Sequence, residues 1–73
     1  MDERQNAKLT VQRLSDAERE ALRGMVNGES AASLADRRTI TTKEAEELRM
    51  ALKSRLGVLK DAEAVRMGLT AGL

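Results

Sequence analysis

The sequence predicts an all-α protein, a four-helix bundle preceded by an N-terminal arm. Three observations support this prediction. Apolar residues recur every three or four positions, Ser and Thr stand three positions before Glu, and Gly follows the apolar stretches. The first spacing turns one face of a helix toward a core. Ser or Thr three residues before Glu is the capping box that begins a helix, and Gly is typical of a helix end.

Residues 1–13 are assigned to the arm, because nothing caps their scattered apolar side chains clearly. The helices are therefore expected within residues 14–73. The first should span about 16–27, since Ser15 and Glu18 form a capping box and Gly28 follows the apolar stripe. Ser30 is the expected cap of a short second helix over about 31–37.

The third helix is expected to be the longest. Thr41 and Glu44 repeat the capping box, and Gly57 marks the end. Four apolar residues at spacings of three and four define its buried face: Ala45, Leu48, Leu52 and Leu56. A short helix, a brief turn and a longer capped helix form a helix-turn-helix unit, so residues 14–73 are predicted to be a helix-turn-helix domain.

Composition narrows the classes of protein further. The 73 residues allow one domain, and they include no Cys, His, aromatic residue or Pro. Disulfides and the usual soft metal sites are therefore excluded. A core made only of Leu, Val, Ile, Met and Ala predicts marginal stability or stabilisation by self-association. Because no apolar run approaches the roughly 18 residues of a membrane span and no signal peptide is recognisable, we expect a cytoplasmic protein without membrane contact.

We expect neither enzyme activity nor a cofactor. The chain has no His or Cys for proton transfer or nucleophilic attack. Its carboxylates are expected on solvated helical faces, where no pair is placed to have a shifted pKa. The Ser and Thr residues are accounted for as helix caps.

One motif links the ends of the last two predicted helices. Leu56-Gly57-Val58 is followed by Glu63-Ala64-Val65. With other positions between residues 14 and 68, this motif resembles the LuxR/GerE family of four-helix helix-turn-helix DNA-binding domains. The other matching positions are Leu14, Ser15, Glu18, Glu20, Leu22, Gly28, Ser30, Leu34, Ala35, Ile40, Thr41, Leu52 and Arg55. The resemblance implies a transcriptional regulator, a dimer whose third helix enters the major groove of double-stranded DNA.

The outward face of the third helix is the candidate contact surface, for DNA or for a protein partner. Lys and Arg on this face would neutralise phosphates, whereas Glu repels them and has only cytosine N4 as a productive base contact. The same charges could also form a solvated face of Glu–Lys and Glu–Arg pairs. The contact candidates are Thr42, Lys43, Glu46, Glu47, Arg49, Met50 and Lys53.

The sequence departs from the family pattern on this same helix. Glu44, Ala45 and Glu46 stand where the family usually has Thr-Val-Lys. Leu48 and Ala51 stand where it has His and Asn. These departures support a second hypothesis, in which the scaffold does not bind DNA but binds a transcriptional regulator protein as an antiactivator.

The fourth helix, from about Asp61, carries the candidate dimer surface. The corresponding family helix forms the dimer interface, so the resemblance implies a homodimer here. The alternative is a frayed terminus with scattered apolar residues, because Gly68 and Gly72 weaken a helix. The dimer candidates fall on one side of the helix and are Ala62, Arg66, Leu69 and Leu73.

Overall fold

The structure, a computed structural model, describes residues 3–73, with side chains from residue 5 onward. This range contains five α-helices and no strand. The helices are α1 (Glu3–Gln12), α2 (Asp16–Val26), α3 (Ala31–Arg38), α4 (Thr42–Leu56) and α5 (Asp61–Thr70). The predicted all-α class is confirmed, and the expected number of four helices is one too low.

The additional helix is α1, which lies within the segment assigned to an arm. Ala7, Val11 and Leu14 are buried, and α1 packs against α5. These three residues are spaced by four and three positions, which places them on one side of the chain where α1 meets the bundle. Three apolar residues without a clear cap are too short a pattern to predict a helix from the sequence. The contact of α1 with α5 explains why this segment is nevertheless helical.

Both predicted capping boxes are present and set the starts of α2 and α4. The Ser15 hydroxyl accepts a hydrogen bond from the Glu18 N–H at 3.1 Å, and the Glu18 carboxylate accepts from the Ser15 N–H at 2.9 Å. Thr41 and Glu44 form the same reciprocal pair, with both distances 3.0 Å. Gly57 ends α4 with a left-handed φ of 75°. Local sequence therefore determines these helix limits to within one residue.

The core consists of aliphatic side chains and contains many alanines. α2 packs against α4 and α5, and α3 packs against α4. Small side chains at such contacts allow helix axes to approach closely, which compensates for the lack of bulky aromatic residues. The buried apolar residues are Ala7, Val11, Leu14, Ala21, Leu22, Met25, Leu34, Ala35, Ala45, Leu52, Leu56 and Ala64.

Gly68 has a steric role in the contact between α5 and α2. A Cβ atom at this position would lie 2.8 Å from Val26 Cγ2 and 3.4 Å from Leu22 Cγ. Gly68 is buried within α5, which continues to Thr70. The sequence predicted only a weakening of the helix end by this glycine, and the structure adds a packing role, since the missing side chain lets two helices meet.

We predict that Gly68→Ala destabilises the protein by about 1 to 3 kcal/mol, because the added methyl overpacks the α2–α5 contact. The direction of the change in stability is informative, since Gly→Ala within an unobstructed helix stabilises by about 1 kcal/mol. Urea denaturation measures the difference. Adding Val26→Ala should recover part of the loss, because it removes the atom that the new methyl meets. A stabilising Gly68→Ala would contradict the close contact.

Candidate functional site

A three-residue connection, Thr39 to Thr41, joins α3 to α4. Thr39 ends α3 in the left-handed region, with φ 59° and ψ 47°, a conformation that β-branched residues rarely adopt. The next N–H, of Ile40, donates to the carbonyl oxygen of Ala35 at 3.0 Å, and the Ile40 side chain packs against the core. This hydrogen bond closes the end of α3 and fixes the direction in which α4 leaves it.

Ion pairs connect α3 to the middle of α2 and to the loop that follows α2. The Arg37 Nε lies 3.1 Å from a Glu29 carboxylate oxygen, and Arg37 also pairs with Glu20. Arg38, half-buried, pairs with the other oxygen of Glu20. The hydrogen bond from Arg37 lowers the pKa of Glu29. Four charged side chains thus form one network that stabilises the position of α3.

The predicted contact residues of α4 divide into two groups. Five are exposed along one side of the helix, and Arg49 and Lys53 are half-buried toward α5. Met50 belongs to the exposed group, with 66% of its surface exposed. It is a large apolar side chain on the outer face of α4, with charged residues on both sides. The five exposed residues are Thr42, Lys43, Glu46, Glu47 and Met50.

Asp61, the first residue of α5, pairs with both half-buried cations. Its Oδ2 lies 3.2 Å from Arg49 Nη2, and its Oδ1 lies 2.8 Å from Lys53 Nζ. The hydrogen bond from Lys53 is the main cause of a lowered pKa for Asp61, and the charge of Arg49 adds to it. Sequence reasoning identified Asp61 only as a helix start, because the helix dipole alone explains an acidic residue there.

The fourth cation of α4, Arg55, is also paired. Its Nε lies 2.9 Å from Oε2 of Glu18, a carboxylate with only 5% of its residue surface exposed. Within the described residues, Lys43 is then the α4 cation without an ion pair, and Glu46 and Glu47 also have none. The outer face of α4 therefore presents one unpaired cation and two unpaired carboxylates around Met50.

Three dimer candidates share an exposed side of α5, and the fourth does not. Ala62, Arg66 and Leu69 are exposed, and 59% of the Leu69 surface is accessible. Leu73 lies beyond the end of α5 and packs against the core, with its N–H donating to the Gly68 carbonyl at 2.9 Å. Leu59, in the connection before α5, is 90% exposed and was not predicted as a contact residue.

Two further kinds of feature are absent from the part of the chain that the structure describes. No group of three acidic residues there is placed to hold a metal ion. No helix in the same range has the length and apolarity needed to cross a membrane.

Comparison with known proteins identifies no family for this chain. No protein-family model matches it, and no curated protein sequence or solved structure is significantly similar. The LuxR/GerE resemblance therefore stays a prediction.

Glu18 couples helix capping to the ion pair with Arg55, and its ionisation affects stability. Burial raises the pKa of this carboxyl, but hydrogen bonds with Ser15 and the nearby Arg55 guanidinium outweigh burial and lower the pKa below 4.5. A carboxyl whose pKa is lower in the folded state stabilises the fold above its unfolded pKa. That contribution is lost as the pH falls through the folded pKa.

We predict that Glu18→Gln lowers the free energy of unfolding at neutral pH by about 1 to 2 kcal/mol, because the charged hydrogen bonds are lost while a capping amide remains. Below pH 4.5 the difference from the wild type should shrink, since the wild-type carboxyl becomes protonated. Urea denaturation across this pH range tests both statements, with Glu47→Gln as a control for removing one exposed carboxylate. A difference that is constant with pH would contradict the assignment.

Proposed function

We propose that this protein is a transcriptional regulator that binds double-stranded DNA through α4, as a dimer. The observation that carries the proposal is the arrangement of α3 and α4. An 8-residue helix, a three-residue connection and a 15-residue helix follow one another, and one side of the second helix is free of the bundle. In helix-turn-helix regulators the second helix lies in the major groove while the first crosses the DNA backbone.

The N-terminal half of α4 supplies groups suited to this role. Recognition helices contact base edges mainly through their first turns, and Thr42, Lys43 and Glu46 are exposed there. A Thr hydroxyl can bond several bases, Lys can donate to guanine or a phosphate, and Glu can accept from cytosine N4. The LuxR/GerE resemblance supports the same helix as the reader of DNA.

A dimer would compensate for the low charge of a single chain. The formal net charge is +1, and affinity for DNA depends on how many phosphates Lys and Arg neutralise. Two subunits double that number and place two copies of α4 in successive turns of the groove. The exposed side of α5, with Ala62, Arg66 and Leu69, is the surface proposed for the dimer contact.

We predict salt-sensitive binding of the wild type to a random-sequence duplex, measured by fluorescence anisotropy at several salt concentrations. Lys43→Gln should weaken binding about 3- to 10-fold and lower the slope of log affinity against log salt by about 1, because one phosphate contact is lost. Arg23→Gln is the matched control, since it removes from α2 one exposed cation that has no ion pair among residues 5–73. Its slope should equal that of the wild type.

Absence of salt-sensitive binding by the wild type would contradict DNA binding. The variant Glu46→Lys with Glu47→Lys then separates two causes. Binding gained by this double variant would mean that α4 fits the DNA groove and that the two glutamates prevent the wild type from binding. No binding by either protein would mean that α4 does not present a DNA-binding surface.

A second candidate function is a protein-interaction module, an antiactivator that binds a DNA-binding regulator and blocks it. The observation that favours it is the exposed Met50 between unpaired Glu46 and Glu47, while Arg49 and Lys53 are engaged by Asp61. Such a face is complementary to a basic partner with an apolar pocket. Co-purification from a native lysate that yields a regulator with the wild type, and loses it with Met50→Ala, would support this function; recovery of DNA alone would oppose it.

A further inference from the structure

Two cations of α4 converge on a single carboxylate. Arg49 and Lys53 lie one helical turn apart, and each bonds a different oxygen of Asp61, at 3.2 Å and 2.8 Å. Their charged groups are therefore held close together and oriented toward one anion. The position of that anion is set by the start of α5, where the helix dipole also favours negative charge.

The pairing is open to exchange with solvent anions. The Asp61 side chain is 53% exposed, and Arg49 and Lys53 are 20% and 21% exposed. Because the carboxylate side of the pair is exposed, water and salt screen its attraction for the two cations, and the charged groups of both cations end flexible stems. A phosphate offers more charge and more acceptor oxygens than one carboxylate, so it competes for the same two cations.

The geometry points to an anion site between Arg49 and Lys53 that Asp61 occupies in the free protein and a DNA backbone phosphate takes over on binding. This inference rests on the proposed DNA-binding function. Asp61 acts as a positioning residue for the two cations and also lowers the affinity, because its charge must be displaced from them. It extends the site beyond the exposed face of α4 to the first turn of α5.

Removing the carboxylate should make the two cations available to phosphate. Asp61→Asn is expected to raise affinity for a random-sequence duplex about 10-fold at low salt. The slope of log affinity against log salt should steepen by about 1 to 2, because each newly neutralised phosphate contributes about 0.9. A steeper slope indicates that additional cations contact phosphates, whereas a change in net charge alone would raise affinity without new contacts.

Glu63→Gln is the matched control. Glu63 lies in the same first turn of α5 and is exposed, but it has no ion pair within the described residues. Its substitution changes the net charge and the helix dipole interaction as Asp61→Asn does, without freeing Arg49 or Lys53. We expect a small rise in affinity with the wild-type slope.

The experiment measures duplex binding by anisotropy and elution from immobilised heparin, a sulfated polyanion, for the wild type and both variants. Far-UV circular dichroism establishes that each is folded, and Asp61→Ser replaces Asp61→Asn if the latter is not, because Ser ranks above Asn in helix propensity and is also uncharged. A further control combines Arg49→Gln and Lys53→Gln. In that double variant, adding Asp61→Asn should raise affinity only slightly and leave the salt slope unchanged, as Glu63→Gln does in the wild type.

Each outcome bears on the inference separately from the proposed function. A steeper duplex slope for Asp61→Asn than for Glu63→Gln supports both. Later elution from heparin for Asp61→Asn alone, without duplex binding by any variant, supports the anion site and contradicts the DNA-binding function. Equal behaviour of the two variants with the duplex and with heparin overturns the anion site, whether or not the wild type binds DNA.

Discussion

The close approach of α5 to α2 at Gly68 is the contact on which the arrangement of the bundle depends. With no aromatic residue in the chain, helices must meet through small side chains to bury enough apolar surface. Gly68 places α5 directly against Val26 and Leu22. α1 packs on α5 in turn, and the start of α5 brings Asp61 to Arg49 and Lys53 of α4. The packing of α5 against α2 and the ion pairs between α5 and α4 thus belong to the same helix.

Ion pairs join neighbouring helices across the surface of the bundle. Glu18 caps the first turn of α2 and also holds Arg55 near the end of α4, while Arg37 and Arg38 hold α3 through Glu20. Pairs of this kind are individually weak when exposed, so their consequence here is mainly electrostatic. They engage cations that would otherwise face solvent, and the outer face of α4 is left less basic than its sequence indicates.

The sequence predicted those features that depend on neighbours along the chain. The limits of α2 and α4 follow from Ser15, Thr41 and their glutamates, because a capping box is complete within four residues. α1 was missed because its stability depends on α5, more than 40 residues away. The site was predicted as a face of α4, but its ion pairs with Asp61 were not. Gly68 and Asp61 both lie near a helix end, where a glycine or an aspartate is expected for local reasons. Only the packed structure shows that Gly68 contacts α2 and that Asp61 pairs with Arg49 and Lys53.

The most direct test of α4 as the functional surface is an NMR titration of the ¹⁵N-labelled chain with a random-sequence duplex. We expect amide shift changes centred on Thr42, Lys43 and Glu46, extending to Asp61 as Arg49 and Lys53 turn toward phosphate. Changes centred on α1 or α2, with α4 unaffected, would contradict this expectation.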